Sequence, residues 1–277
     1  MNIDLEISSA YGNTEATYEL YNEFNRFFSY IQEMPKTIKD KLGINDSNYQ
    51  DFFRIYSNSP SKSLYKKNDS ANDYLVDYWV ATVSGKAKFL DGFLNKQYYP
   101  ITKDFLTTFY KENIWENNLI KIQDTLFDKG IYLIFEEAKP GTKVDGVALL
   151  VNEKPVIALS LRLKGIDSFW FTLLHELSHL ILHYNQLQDP IVDYFDEKNS
   201  DSYDQNKIEN QANKLARDTM IPKYLWRTFQ TIRNESELKA FSKSYQIHPS
   251  VIAGRLSFEN NDWSKYAKLR ARYKVDE

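Results

Sequence analysis

The sequence predicts an α+β chain: a mostly helical N-terminal domain over residues 1–112, then a domain over 113–277 that joins a small three-stranded sheet to further helices. Three observations carry this reading. From Glu15 to about Tyr110 apolar and aromatic residues recur at helical spacing. Between 131 and 161 the text breaks into short β-branched runs divided by turn signals. Beyond 166 the helical period returns. A length of 277 residues suits two domains of ordinary size, and 42% hydrophobic with 26% charged residues is a globular balance rather than a disordered one.

Taken in order, the first helical stretch carries an aromatic stripe at Tyr18, Tyr21, Phe24, Phe27 or Phe28, and Ile31, a pattern that belongs to a core. Breaks fall at Met34-Pro35, at 57–63 and at Tyr99-Pro100, because proline pushes the residue before it out of the helical region. A helix over about 115–128, with Leu119, Ile122, Leu126 and Phe127 on one face, stops at Lys129-Gly130. The strands are expected at 131–136, 144–152 and 155–161, the last two joined as a hairpin around Asn152-Glu153-Lys154. The next helix, capped by Asp167 or Ser168 and running to about His183, is apolar nearly all round and so should be buried. Residues 185–205 are acidic and turn-rich, which predicts a loop or lid. Helices follow over 208–220, 236–245 and 249–259, and a basic helical tail over 265–274.

Composition excludes several chemistries. There is no cysteine, which removes disulfides, thiol nucleophiles, iron–sulfur clusters and cysteine-based zinc fingers, so a metal site would use His, Asp and Glu. No segment approaches 18 uninterrupted apolar residues, and the N-terminus has no basic start before an apolar run, so a cytoplasmic protein without membrane insertion is expected. A formal charge of −3 offers nucleic acid no global attraction. Two segments have helix-turn-helix spacing, 37–56 and 237–256. Neither shows a clear Lys/Arg stripe, so each reads more simply as a helical hairpin, and nucleic-acid binding has weak support.

The chemistry concentrates in one helix. His175-Glu176-Leu177-Ser178-His179 is HExxH, which puts both imidazoles on one helix face and turns Glu176 about 100° away, toward water held at the same site. Two imidazoles buried without partners would be costly, and a metal supplies the partner. Zinc is the expected ion, and catalytic zinc takes three protein ligands and keeps one position open. His183 follows one turn after His179, about 6 Å further along the axis, which suits packing or support of a ligand better than ligation. Glu209 is the better third ligand. It shares a helix face with Ala212, Asn213 and Ala216, and the alanines permit a close approach while Asn213 can accept the other N–H of a ligand histidine. Aspartates of the acidic loop compete for the role.

The run from His175 to His179 and His183, followed by Glu209-x-x-Ala212-Asn213-x-x-Ala216 and Met220-Ile221-Pro222, resembles the ImmA/IrrE family of zinc metallopeptidases. The resemblance spans about 115–277 and takes in PGTKVDG, PVIALSLR and IHPSVIAGRL; Leu215 departs from it, standing where an aromatic is commoner. It implies a zincin-like fold, gluzincin-like zinc ligation by His175, His179 and Glu209, and Glu176 as general base. It also implies cytoplasmic cleavage of a protein partner, a DNA-binding repressor or antitoxin-type regulator. A transcriptional regulator that keeps the fold and works by binding is the alternative. Tyr184, Tyr194, Arg162 and His183 are the candidate donors to the oxyanion.

Overall fold

The computed structural model describes residues 14–57, 71–194 and 203–275. By contacts the chain divides into two compact units, Met1–Lys86 with Lys139–Thr142, and Ala87–Ala138 with Lys143–Glu277.

In the first unit α1 (Thr14–Glu33), α2 (Lys36–Leu42), α3 (Tyr49–Tyr56) and the start of α4 (Ala71–Leu94) surround an aromatic core. Pro35 ends one helix and opens the next, as its fixed φ and missing N–H require. The buried stripe on α1 is Phe27, Tyr30, Ile31 and Met34. Tyr18 and Tyr21, expected in that stripe, are instead 68% and 62% exposed. Phe27 packs on Phe53 and Tyr56, while Tyr30 donates a hydrogen bond to Asp77. The connection between α2 and α3 spans 43–48, longer than the three- or four-residue turn of a helix-turn-helix.

The second unit begins within α4, so its boundary lies well before the expected 112/113 division. The reason is packing: α5 (Lys103–Asn113) turns Leu106, Phe109 and Tyr110 into the same core as Trp170. Next, α6 (Leu119–Phe127) is capped by Asn118, whose side chain accepts from Lys121 N, and the chain then reverses at Gly130. Gly130 has φ +71°, and the backbone of Gln97 and Tyr98 passes where a Cβ would sit, so no other residue fits.

Four strands form the sheet, in the order β1-β3-β2-β4: β1 (Tyr132–Phe135), β2 (Val144–Val151), β3 (Lys154–Leu159) and β4 (Ile191–Tyr194). β1 runs parallel to β3, and the other pairs are antiparallel. Asn152 and Glu153, both at positive φ, make the two-residue turn of the β2–β3 hairpin, whose twist matches the strands. β4 corrects the sequence reading, which left 185–205 as loop or lid. Ile191 and Val192 pair with Ala148 and Val147, so the short apolar run inside the acidic stretch completes the sheet edge. The acidic positions Asp196, Glu197 and Asp201 lie outside the described residues.

Across one sheet face lies α7 (Ile166–Leu182), with Trp170, Leu173, Leu174 and Leu177 wholly buried. Asp167 does not cap it, contrary to expectation; Gly165 does so without a side-chain bond, and the buried Asp167 carboxylate receives Arg270 Nε at 2.6 Å. Arg270 belongs to α12 (Ala267–Arg270), so the basic tail forms a shorter helix than expected and closes on the core through Leu269 and Val275. α8 (Tyr203–Met220) packs on α7 through Ala212 and Ala216, and then come α9 (Lys223–Phe229), α10 (Glu235–Tyr245) and α11 (Pro249–Glu259). α10 and α11 have the short turn of a helix-turn-helix, with Gln246 left-handed. Yet α11 is buried from Pro249 to Gly254 and packs on α7, so it presents no face to a groove.

Candidate metal centre

α7 and α8 create the site by crossing closely. His175 and His179, one turn apart on α7, are 1% and 0% exposed, and their Nε2 atoms meet at 3.0 Å. Glu209 reaches them from α8, with Oε2 at 3.1 Å from His175 Nε2 and Oε1 at 3.6 Å from His179 Nε2. The small Ala212 and Ala216 on α8 are what let a carboxylate one turn before them reach the histidines.

These distances fit a metal ion. A tetrahedral ion about 2.05 Å from its ligands holds them about 3.3 Å apart, and the three observed separations bracket that value. Among the described residues this is the one group of three or more His, Asp or Glu side chains so arranged. Asp189, a competing ligand in the sequence reading, is exposed and outside it.

The protonation states suit ligation. Burial, partly opposed by the hydrogen bond to Glu209, lowers the His179 pKa to about 4, so the ring is neutral at pH 7. Burial would raise Glu209, but hydrogen bonds from His175 and His179 outweigh it and bring that carboxyl down to about 2. A neutral imidazole at His179 and a carboxylate at Glu209 are the donor forms a divalent cation binds.

The remaining ring nitrogens are occupied. His175 Nδ1 lies 3.1 Å from Asn213 Oδ1, and His179 Nδ1 lies 3.1 Å from His183 Nδ1. His183 is 4% exposed, and its Nε2 lies 2.9 Å from Gln211 Oε1. The motif spacing singles out Asn213 and His183, but Gln211 goes unnoticed: it lies two residues from both Glu209 and Asn213, off their helix face, and its long side chain reaches round α8 to His183.

Glu176 is wholly buried beside the pair. Its carboxylate lies against β2, where a Cβ on Gly146 would collide with Oε1. Of the expected oxyanion donors, His183 is taken up as above, and the Tyr184 hydroxyl donates to Glu153 O while its ring stacks on Tyr98. The Tyr194 side chain lies outside the described residues. Arg162 forks onto Asp145 Oδ1 at 2.7 and 3.1 Å. Burial raises the Asp145 pKa, and the Arg162 charge opposes that rise. Both line a small depression with Ser160, Phe169 and Thr172, and Thr172 stands one turn before Glu176 on α7.

Residues 128–257 match the family model described as the IrrE N-terminal-like domain, a peptidase family. The match takes in the sheet, both helices of the metal centre and α11. No curated protein matches the chain. Among the described residues no helix is long and apolar enough to cross a membrane. The α+β architecture and the crossing of α7 on α8 agree with that match, and residues 128–257 are similar to an IrrE N-terminal-like domain.

Proposed function

We propose that the protein is a zinc-dependent endopeptidase of the cytoplasm that cleaves a regulatory protein, a DNA-binding repressor or an antitoxin-type partner. The observation that carries this reading is the convergence of His175, His179 and Glu209 at tetrahedral spacing with Glu176 on the adjoining helix position. The borderline-soft, redox-inert zinc ion suits two imidazoles and a carboxylate. When bound, it would polarise the scissile carbonyl and acidify water at its open position.

The chain's own groups do the rest. Glu176, held between α7 and Gly146, takes a proton from the attacking water and hands it to the leaving amine. Its burial excludes competing bulk water and strengthens its interaction with the developing charge. Asn213 orients His175. A DNA-binding role for the chain has less support, because the segment with helix-turn-helix spacing in this domain buries its second helix.

The test is co-expression of the chain with its neighbouring gene products, as wild type and as Glu176→Ala. Fragments of one partner with wild type alone are expected, with equal metal content in both proteins. Equal cleavage by Glu176→Ala would overturn the mechanism, and gel-shift binding to a defined operator without any cleavage would replace the peptidase reading.

A further inference from the structure

The hydrogen bonds behind the ligands impose a direction that the ligand set alone does not. His179 points Nε2 at His175 and Glu209, so a metal there needs the Nε2 lone pair and leaves the proton on Nδ1. That proton meets His183 Nδ1 at 3.1 Å. His183 can accept it only if its own proton sits on Nε2, and this N–H points at Gln211 Oε1, 2.9 Å away. Each step dictates the next: the amide oxygen fixes the His183 tautomer, and that tautomer fixes His179. Both rings are buried, so water offers no substitute acceptor.

We infer that His183 and Gln211 are positioning residues: they form a relay that receives the Nδ1 proton of His179 when Nε2 ligates, and so orients the ligating nitrogen. The relay differs from the arm at His175, where a single amide, Asn213, does the same work directly. The amide oxygens that end both arms and the third ligand all come from α8. One helix therefore sets the ligating nitrogens of α7 and completes the ligand set, and docking of α8 on α7 is the event that makes the site.

The inference rests on the metal-centre reading, and the test separates the two. In the zinc-loaded full chain, histidine 15N–1H correlation spectra report which ring nitrogen carries the proton. Wild type is expected to show His179 as Nδ1–H and His183 as Nε2–H. Zinc affinity is then measured by competition with a chromophoric chelator in wild type, His183→Phe, His183→Asn and Gln211→Leu, each checked for native circular dichroism. His183→Phe keeps the ring volume and removes the acceptor, and should weaken zinc binding about 10–100-fold. His183→Asn places Oδ1 where Nδ1 stood and should recover much of that loss. Gln211→Leu, a change at an exposed position, keeps the fold if His183→Phe does not and should release the His183 tautomer with a smaller loss. Wild-type affinity in His183→Phe and Gln211→Leu, or a zinc-loaded wild type with His183 protonated on Nδ1, would overturn the relay. A wild type that binds no zinc would overturn the metal centre and the relay with it, whereas zinc binding that ignores both substitutions would overturn the relay alone.

Discussion

Gly146 on β2 and Glu176 on α7 touch across the layer between sheet and helix: the space a Cβ would need at Gly146 is filled by the Glu176 carboxylate. The glycine here serves neither a turn nor a left-handed backbone. It makes room for a polar group in an otherwise apolar interface, where Ala148 and Leu150 occupy the same strand.

Gly146→Ala should therefore displace Glu176 and cost about 1–3 kcal/mol of stability by overpacking. Cleavage of the partner should fall much further than zinc binding does. Denaturant unfolding and chelator competition, run beside the cleavage assay, would check this, and unchanged cleavage would remove the glycine from the site's design.

Asp167 and Arg270 make a second tie, between the start of the HExxH helix α7 and α12. The carboxylate is 6% exposed, and the guanidinium also lies over Trp263. Arg270→Met leaves a buried carboxylate unpaired and should destabilise the fold by about 3–5 kcal/mol. Burial already pushes the Asp167 pKa up against the pull of Arg270, so the variant should tolerate low pH better, relative to its own maximum, than wild type does. Urea titrations at several pH values measure both effects.

Acid should destabilise the metal-free protein through at least two groups. Burial lowers His248 to about 4 from 6.5, so between those values the unfolded chain takes up a proton that the folded one refuses, and stability falls as pH drops through that range. Glu209, held down to about 2 from 4.5, contributes stability that is present above 4.5 and lost on descending toward 2. His248→Asn should make the upper part of this profile, between pH 6.5 and 4, shallower, while His179, also lowered to about 4, keeps its share there and the lower part stays in place. Melting temperatures measured in chelator across pH 3–8 would show whether the two parts separate.

Zinc should raise the melting temperature of the wild-type chain, because an ion that binds only the folded state stabilises by mass action, about 2.7 kcal/mol at a hundredfold excess over Kd. Glu209→Gln should lose most of that gain, since an amide supplies no anionic ligand. Full stabilisation of this variant by zinc would move the third ligand elsewhere.

The sequence by itself determined the chemistry of the site. HExxH fixes two nitrogens and a carboxylate on one helix through the 3.6-residue period, and the lack of cysteine leaves oxygen and nitrogen as the donors. The strands β2 and β3, the buried helix α7 and the close-approach face of Ala212 and Ala216 were legible for the same reason, because local periodicity encodes them. What lacked a local period was not legible. β4 is four residues inside an acidic stretch and is a strand only because β2 offers an open edge. α5 joins the second unit because Trp170, sixty residues later, provides the surface its aromatics need. Asp167, which as an isolated sequence signal reads as a helix cap, is claimed by an arginine 103 positions away. Gln211 and Gly146 acquire meaning only when α8 and β2 are set against α7, since a hydrogen-bond partner or a missing Cβ is defined by what stands opposite. Helical period is a property of neighbours in the chain, whereas register, clearance and ion pairing are properties of neighbours in space, and only the packed structure supplies those.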